Sequence, residues 1–252
     1  MTMSATINSV PTTDTQRINT ELERADATAV VAWAARRFER GLVMTSSFGA
    51  QAAVMLHLAT RVVPRIAVVL IDTGYLFAET YRFVELLTDR LGLNLKVYQP
   101  RMSAARREAV CGRQWEQGED GLRSYEETAK LEPMRRALRE LGSTAWLAGL
   151  RRQQTNFRAN LRKVDVQDGT YKILPILDWS IGDVNDYLAR YDLPIHPLCE
   201  RGYTSIGDVH STRPVNVDEH ERAGRFGGLK QECGLHLPKT PEEAESRDSS
   251  FL

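Results

Sequence analysis

A run of seven residues that ends at Ile71 constrains the fold of this chain more than any other segment. It reads Arg65-Ile66-Ala67-Val68-Val69-Leu70-Ile71, and Asp72-Thr73-Gly74 follows it directly. A continuous apolar run rich in branched side chains is typical of a strand that is buried on both faces. Such strands occur in parallel sheets with helices on both sides, so the run predicts an α/β fold.

The rest of the chain alternates between strand and helix patterns, as this fold requires. Further strands are predicted at residues 42–45, 94–98, 144–150 and 172–177. Helical spacing of apolar residues predicts helices around 27–34, 52–59, 76–91, 132–141 and 181–191, the last with Ser180 as its N-cap. We therefore expect a mostly parallel, doubly wound sheet. Ligands of such sheets bind at the carboxyl ends of the strands, near the switch point.

The domain organisation follows from where this alternation begins and ends. We predict a poorly ordered N-terminus at residues 1–20 and one α/β domain at residues 21–214. Residues 215–252 are rich in glycine and charge and have little periodicity, which predicts an irregular, mobile C-terminal segment.

Composition excludes several classes of protein. The 33 basic and 33 acidic residues cancel, so no overall field attracts nucleic acid or membranes. No apolar stretch approaches the roughly 20 residues of a membrane-spanning helix, and the N-terminus lacks the pattern of a secretory signal. Three cysteines without paired spacing indicate a reducing compartment. We expect a cytoplasmic protein that binds neither nucleic acid nor membrane.

Two predicted strands end in short polar segments. After the first comes Ser46-Ser47-Phe48-Gly49-Ala50-Gln51, whose small residues leave backbone N–H groups free to hold an anion. It matches neither a Walker loop nor G-x-G-x-x-G, and an ordinary strand–helix turn would look similar. Asp72-Thr73-Gly74, after the second strand, suits either a ribose or base contact or a capped turn.

Two later segments carry more charge. Gly149-Leu150-Arg151-Arg152-Gln153 follows the fourth predicted strand, and Arg158 lies close behind it. Arginine forks suit phosphate and sulfate oxygens, although a solvated basic face is the alternative. Residues 204–214 form a polar loop that ends in Thr212-Arg213-Pro214. The histidines and cysteines lack the spacing of metal ligands, so we predict no metal site.

Cys233 stands in a polar setting, Lys230-Gln231-Glu232-Cys233-Gly234-Leu235-His236. Nearby cations lower the pKa of a thiol, and the thiolate is the nucleophile. Cys111 and Cys199 fit a structural role. Because no second cysteine lies near Cys233, redox chemistry there requires a thiol from another molecule.

These segments together resemble the assimilatory adenylyl-sulfate (APS) and phosphoadenylyl-sulfate (PAPS) reductases, which have the adenine-nucleotide α-hydrolase-like (PP-loop) fold. The resemblance spans roughly residues 41–237 and is most specific in Glu-Cys-Gly-Leu-His at 232–236. The other matching segments are 46–51, 71–74, 132–134, 149–153 and 212–214.

The resemblance implies a nucleotide-binding domain and a mechanism. The Cys233 thiolate attacks the sulfonate sulfur to form a cysteine S-sulfonate, and thioredoxin or glutaredoxin then releases sulfite. We predict Cys233 and His236 as catalytic residues. The predicted substrate-binding residues are Ser46, Ser47, Phe48, Gly49, Gln51, Asp72, Thr73, Gly74, Gly149, Arg151, Arg152, Gln153, Thr212, Arg213 and Lys230. The resemblance also implies a homodimer.

The choice of substrate rests on four positions. Family members that use APS usually carry an iron–sulfur cluster on four cysteines. The corresponding residues here are Tyr125, Glu126, Asp208 and Ser211, and none of them supplies a thiolate. The resemblance therefore implies PAPS as substrate, no cluster or other cofactor, and thioredoxin as external reductant.

Three alternatives stay open at this point. A cluster-free APS reductase would carry the same motifs. An ATP-pyrophosphatase-type adenylyltransferase shares the fold, but its members favour glycine and aspartate where this chain has Phe48 and Ala50. The third is a nucleotide-binding module without catalysis.

Overall fold

Strand β1 (Leu42–Thr45) lies inside a six-stranded sheet whose order is β3-β2-β1-β4-β6-β5. The structure is a computed structural model that describes residues 12–216, 218–228, 232 and 234–236. The remaining strands are β2 (Ala67–Ile71), β3 (Asn94–Tyr98), β4 (Ala145–Leu147), β5 (Val164–Gln167) and β6 (Thr170–Ile173). Every strand pairing is parallel except β5 with β6. The predicted mostly parallel, doubly wound sheet is confirmed.

Strand β2, between β3 and β1, is buried on both faces, as its apolar run predicts. Val68 and Leu70 pack into the larger hydrophobic core on one side of the sheet, and Val69 packs into the smaller core on the other. All three are almost completely buried. At about 25 cal/mol per Å² of apolar surface, each such side chain stabilises the fold by roughly 1.5–3 kcal/mol.

Helices connect the strands and cover the sheet. They are α1 (Thr12–Glu21), α2 (Ala27–Phe38), α3 (Ala52–Val62), α4 (Ala78–Leu91), α5 (Ala104–Cys111), α6 (Gly118–Glu126), α7 (Glu132–Glu140), α8 (Asn156–Ala159) and α9 (Ile181–Arg190). The predicted N-cap of α9 is confirmed: Ser180 accepts from the backbone N–H of Asp183, whose carboxylate accepts from that of Ser180. Within the described residues, no helix is both long and apolar enough to cross a membrane.

Helices α6 and α7 are joined without a break by a turn of π-helix, Glu127–Leu131. Single π turns inside α-helices are frequent at functional sites. Two charged side chains of this region, Glu126 and Lys130, are buried. The chain therefore holds charge inside the protein at this point.

The topology defines where a ligand can bind. From β1 the chain moves outward through β2 and β3, and it then returns to the other side of β1 at β4. The connections after β1 and β4 therefore diverge at the carboxyl edge of the sheet and leave a crevice between them.

Several elements differ from what the sequence patterns suggest. Helices α5, α6 and α8 were not predicted, and the strand predicted at residues 172–177 is observed at Thr170–Ile173. Helix α1 includes residues 12–20 of the N-terminus predicted as poorly ordered, and it buries Ile18. Hairpin β5–β6 turns on Asp168 and Gly169, both at positive φ. After α9 the regular elements of the described residues are short 3-10 turns and two isolated β-bridges, Leu76 with Asp208 and Thr212 with Arg225. The mobility of residues 215–252 stays a prediction.

Candidate active site

A cavity of about 240 Å³ opens at the carboxyl ends of β1, β2 and β4. Its wall includes Ser46, Ser47, Gly49, Gln51, Thr73, Gly149, Lys130, Gln154, Arg158, Thr204, Ser205, Ile206, Gly207, Asp208, Glu221, Arg222, Arg225 and Leu235. Segments that are far apart in sequence therefore meet at the predicted switch point.

The loop after β1 forms one side of this cavity. Ser46, Ser47, Gly49 and Gln51 line it, whereas the side chain of Phe48 is completely buried in the core. Phe48 takes a positive φ of 49°, and its backbone N–H donates to Ser46 Oγ at 3.1 Å. The buried phenyl ring thus fixes the loop to the core, and the small residues of the loop line the cavity.

The segment after β2 divides into two roles. The Asp72 carboxylate accepts hydrogen bonds from the Gly74 N–H, the Tyr81 hydroxyl and the Gln99 amide, at 2.7–2.9 Å. These three hydrogen bonds stabilise the turn at residues 72–74, of which Asp72 and Gly74 do not line the cavity. Thr73 lines the cavity, and its hydroxyl donates to Asp208 Oδ1 at 2.6 Å.

The two adjacent arginines after β4 point to different places. Arg151 is 1% exposed, and its Nη2 donates to Gln51 Oε1 at 3.0 Å and to Glu221 Oε2 at 3.1 Å. Arg151 therefore links two lining residues, Gln51 and Glu221, without lining the cavity itself. Arg152 instead donates to Asp178 Oδ1 at 2.6 Å, away from the lining residues, and Gln153 is exposed.

The loop that follows α9 contributes differently from the sequence prediction. Thr212 accepts from the Gly207 N–H, and the exposed Arg213 pairs with Glu219 at 2.7 Å. Neither residue lines the cavity. Residues 204–208 of the same loop do so.

Lys130 and Asp208 form a buried ion pair of 2.6 Å in the cavity wall. The Tyr125 hydroxyl donates to the same carboxylate at 3.1 Å. Burial alone would raise the pKa of Asp208, but the Lys130 ammonium outweighs it and lowers that pKa to about 2. Tyr125 and Asp208, two of the four positions at which the resemblance would place cluster cysteines, are thus joined by a hydrogen bond. No group of histidine, cysteine and carboxylate side chains among the described residues is arranged to hold a metal.

The predicted catalytic segment is described only in part. Lys230 and Cys233 lie outside the described residues, and for His236 only the backbone is described, in the 3-10 turn Gly234–His236. The neighbours of Cys233 are described. Glu232 is 4% exposed and bonds to Arg158, and Leu235 lines the cavity.

Several lining residues were not among the predicted site residues. The charged ones are Lys130, Arg158, Asp208, Glu221, Arg222 and Arg225. Arg158 had a sequence signal, because it belongs to the basic group behind Arg151. Asp208 belongs to the polar loop 204–214, of which only Thr212 and Arg213 were predicted to bind substrate. Lys130, Glu221, Arg222 and Arg225 come from segments without a motif that points to the cavity. The lining holds four basic and two acidic side chains, a charge balance that suits an anionic ligand.

Comparison with known proteins identifies the family of this chain. The family model of the phosphoadenosine phosphosulfate reductase domain matches residues 41–214 of this chain. A phosphoadenosine 5'-phosphosulfate reductase from Synechocystis is 56% identical over 241 residues, which cover 95% of this chain and 97% of the relative. A protein of the same name from Xylella fastidiosa is 52% identical and covers 90% of this chain and 95% of its own.

Solved structures extend the comparison to the fold. The phosphoadenylyl-sulfate (PAPS) reductase from Candida auris, a phosphate complex, has a TM-score of 0.72 and 30% identity, covering 81% of this chain and 98% of its own. FMN adenylyltransferase from Candida glabrata has a TM-score of 0.58 at 15% identity and covers 99% and 84%, which shows a common fold only. The predicted fold group is confirmed, and the chain belongs to the phosphoadenosine phosphosulfate reductase family.

Proposed function

We propose that this protein reduces PAPS to sulfite and adenosine 3',5'-bisphosphate in sulfate assimilation, with thioredoxin as electron donor. One observation carries the proposal most directly. The residues on both sides of Cys233 contact the wall of the cavity that the loop 46–51 lines. The family and the names of its 50–56% identical members support the same reaction.

The described residues suit an adenine nucleotide that carries several anionic groups. Within the loop 46–51, the N–H groups of Ser46 and Phe48 already donate inside the protein. The N–H groups of Ser47, Gly49, Ala50 and Gln51 are our candidates as donors to a phosphate. Arg222 and Arg225 add positive charge to the lining, whereas the charge of Arg158 is compensated by Glu232. Guanidinium forks bind phosphate and sulfate oxygens in bidentate fashion.

The first chemical step transfers the sulfo group. The Cys233 thiolate attacks the sulfur, an S–S bond forms, and the bond between that sulfur and the phosphate oxygen breaks. The oxygen leaves with the electron pair as part of adenosine 3',5'-bisphosphate. The product on the enzyme is a cysteine S-sulfonate, and His236 is our candidate for assisting this step.

The second step needs two electrons that a single cysteine cannot supply. A thioredoxin thiolate attacks the sulfur of Cys233 and expels sulfite with the electron pair of the broken S–S bond. The second thioredoxin thiol then attacks the mixed disulfide, which frees the Cys233 thiolate and leaves oxidised thioredoxin. Glutaredoxin is the alternative donor of the same chemistry.

We propose PAPS over APS, and no iron–sulfur cofactor, because positions 125, 126, 208 and 211 lack cysteine. A cluster requires about four thiolates. The Asp208 carboxylate accepts a hydrogen bond from Tyr125 and forms an ion pair with Lys130. We further propose a cytoplasmic enzyme, since the exchange with thioredoxin requires a reducing compartment. A homodimer is proposed from the family resemblance alone.

Sulfite assays with both nucleotides test this function. Pure protein, thioredoxin and either PAPS or APS are mixed, and kcat/KM is measured for each. A site built around the 3'-phosphate should prefer PAPS by about 100-fold or more, because its charged donors lose their partner with APS. Equal values would favour the cluster-free APS reductase. Wild-type sulfite output from Cys233→Ser would exclude Cys233 as nucleophile.

A further inference from the structure

Glu232, the residue before Cys233, has a buried carboxylate with three donors from one short segment. Arg158 Nε donates to Oε1 at 2.8 Å and Arg158 Nη2 donates to Oε2 at 2.7 Å. The Thr155 hydroxyl donates to Oε1 at 2.7 Å. Two parallel bonds between a guanidinium and a carboxylate fix orientation as well as distance.

The chain is also attached immediately after Cys233. The Gly234 N–H donates to Glu126 Oε1 at 3.4 Å, and the Leu235 carbonyl accepts from Gln167 Nε2 at 2.9 Å. A Cβ on Gly234 would lie 3.2 Å from Glu126 Oε2, so the close approach favours glycine. Consecutive Cα atoms are about 3.8 Å apart. Both chain neighbours of Cys233 are therefore held by the α/β domain.

Stability alone does not explain the pair of Glu232 and Arg158. Both side chains are about 95% buried, and the cost of removing two charges from water is comparable to their attraction. Burial by itself would raise the pKa of Glu232, but Arg158 outweighs it and lowers that pKa. The carboxylate is thus charged at neutral pH, and the contact orients the two segments.

The same contact is connected to the nucleotide loop. Arg158 Nη1 bonds to Gln154 Oε1, and Gln154 Nε2 donates to Glu221 Oε1 at 3.0 Å. Arg151 bridges Glu221 and Gln51. A continuous set of hydrogen bonds therefore runs from the loop after β1 to the residue before Cys233.

We propose that Glu232 is a positioning residue, whose bond to Arg158 aligns the Cys233 thiolate with the sulfur of the bound nucleotide. This inference rests on the proposed function and deepens it. Attack requires the reacting atoms to approach within about 3–3.5 Å, and a displacement of about 1 Å can slow a reaction about 100-fold.

The test is the single-turnover rate of S-sulfonate formation on Cys233 at saturating PAPS, without thioredoxin, followed by intact mass. Glu232→Gln should slow it by roughly 10- to 100-fold. The Kd of adenosine 3',5'-bisphosphate should stay within about twofold of the wild-type value, because a positioning role does not change how tightly the enzyme binds the nucleotide itself. Asp218→Asn, an exposed carboxylate of the same segment, is the matched control and should react at the wild-type rate.

Two further measurements separate positioning from other effects. Alkylation of Cys233 by iodoacetamide needs no bound geometry and should not slow in Glu232→Gln. Thr155→Val removes one neutral donor to Glu232 together with the acceptor that caps the Arg158 N–H, and it leaves the ion pair. It therefore keeps the test available should Glu232→Gln not fold. It should slow adduct formation by about 3- to 10-fold.

Unchanged adduct rates in these variants would overturn the positioning role. If Cys233→Ser is inactive while Glu232→Gln reacts at the wild-type rate, only this inference fails. If Cys233→Ser still produces sulfite normally, the proposed function fails and the positioning role fails with it.

Discussion

Lys130 in the π turn and Asp208 in the loop after α9 are joined by a 2.6 Å ion pair inside the protein. Thr73, at the end of β2, and Tyr125, in α6, donate to the same carboxylate. Elements from three parts of the chain therefore converge on one acidic side chain in the cavity wall.

Replacing Asp208 by asparagine should destabilise the protein strongly. Removal of one partner of a buried ion pair leaves the other charge poorly compensated and costs about 3–5 kcal/mol. Urea unfolding followed by circular dichroism measures the change in the free energy of unfolding. Glu219→Gln, which breaks the exposed pair with Arg213, is the control and should have little effect. Equal effects of the two variants would contradict this assignment.

Two histidines, the buried His196 and the largely covered His210, should make stability depend on pH. Burial lowers the pKa of His196 and of His210 to about 4, whereas unfolded histidine titrates near 6.5. The unfolded chain therefore binds more protons between these values, and stability should fall as pH decreases from about 6.5 to 4. Leu198 N–H donates to His196 Nδ1, which fits the neutral ring.

Urea unfolding at several pH values measures this dependence. His196→Asn should reduce the slope, whereas His220→Gln, at an exposed position, should leave it unchanged. A free energy of unfolding that is constant from pH 4 to 6.5 would refute the prediction.

Arg151 and Arg152 should differ sharply in function although they are adjacent. Lysine at position 151 cannot bridge Gln51 and Glu221, so Arg151→Lys should lower kcat/KM by about 10- to 100-fold. Arg152→Lys changes a partly exposed contact with Asp178 and should cost less than about threefold. Steady-state kinetics with PAPS measure both variants. Similar losses of kcat/KM in Arg151→Lys and Arg152→Lys would contradict the positions found for these side chains.

Gly207→Ala should weaken nucleotide binding. A Cβ at this position would lie 2.3 Å from Arg225 Nη2, so the guanidinium must leave its place in the cavity wall. Loss of one charged hydrogen bond corresponds to a rise in KM of about tenfold or more. Gly182→Ala in α9 meets only Ser180 Oγ at 3.4 Å and should leave KM unchanged. An unaltered KM in Gly207→Ala would count against a role of Arg225 in binding.

The sheet was largely predictable because its strands are local apolar runs. Predicted and observed bounds agree for β1 and β3, and β2 begins two residues later than predicted. Strand β5 was missed because Val164–Gln167 is short and half polar. The Asp168-Gly169 turn is a recognised hairpin signal and could have revealed it.

The candidate site was predictable only where residues follow a strand directly. The loop 46–51, Thr73 and Gly149 lie at the cavity as their positions suggest. The contacts of Lys130 with Asp208 and of Arg158 with Glu232 join distant segments, and no local pattern encodes such pairs. Arg152 and Arg213 match motifs, yet their ion pairs with Asp178 and Glu219 hold them outside the cavity lining.

The mass of Cys233 after reaction with nucleotide tests the central claim most directly. The protein is incubated with PAPS in the absence of thioredoxin, digested and analysed by mass spectrometry, with APS in a parallel sample. We predict one sulfo group on the peptide that contains Cys233, formed faster with PAPS than with APS and removed by thioredoxin with release of sulfite. An unmodified Cys233 under conditions in which the same preparation produces sulfite would contradict the account.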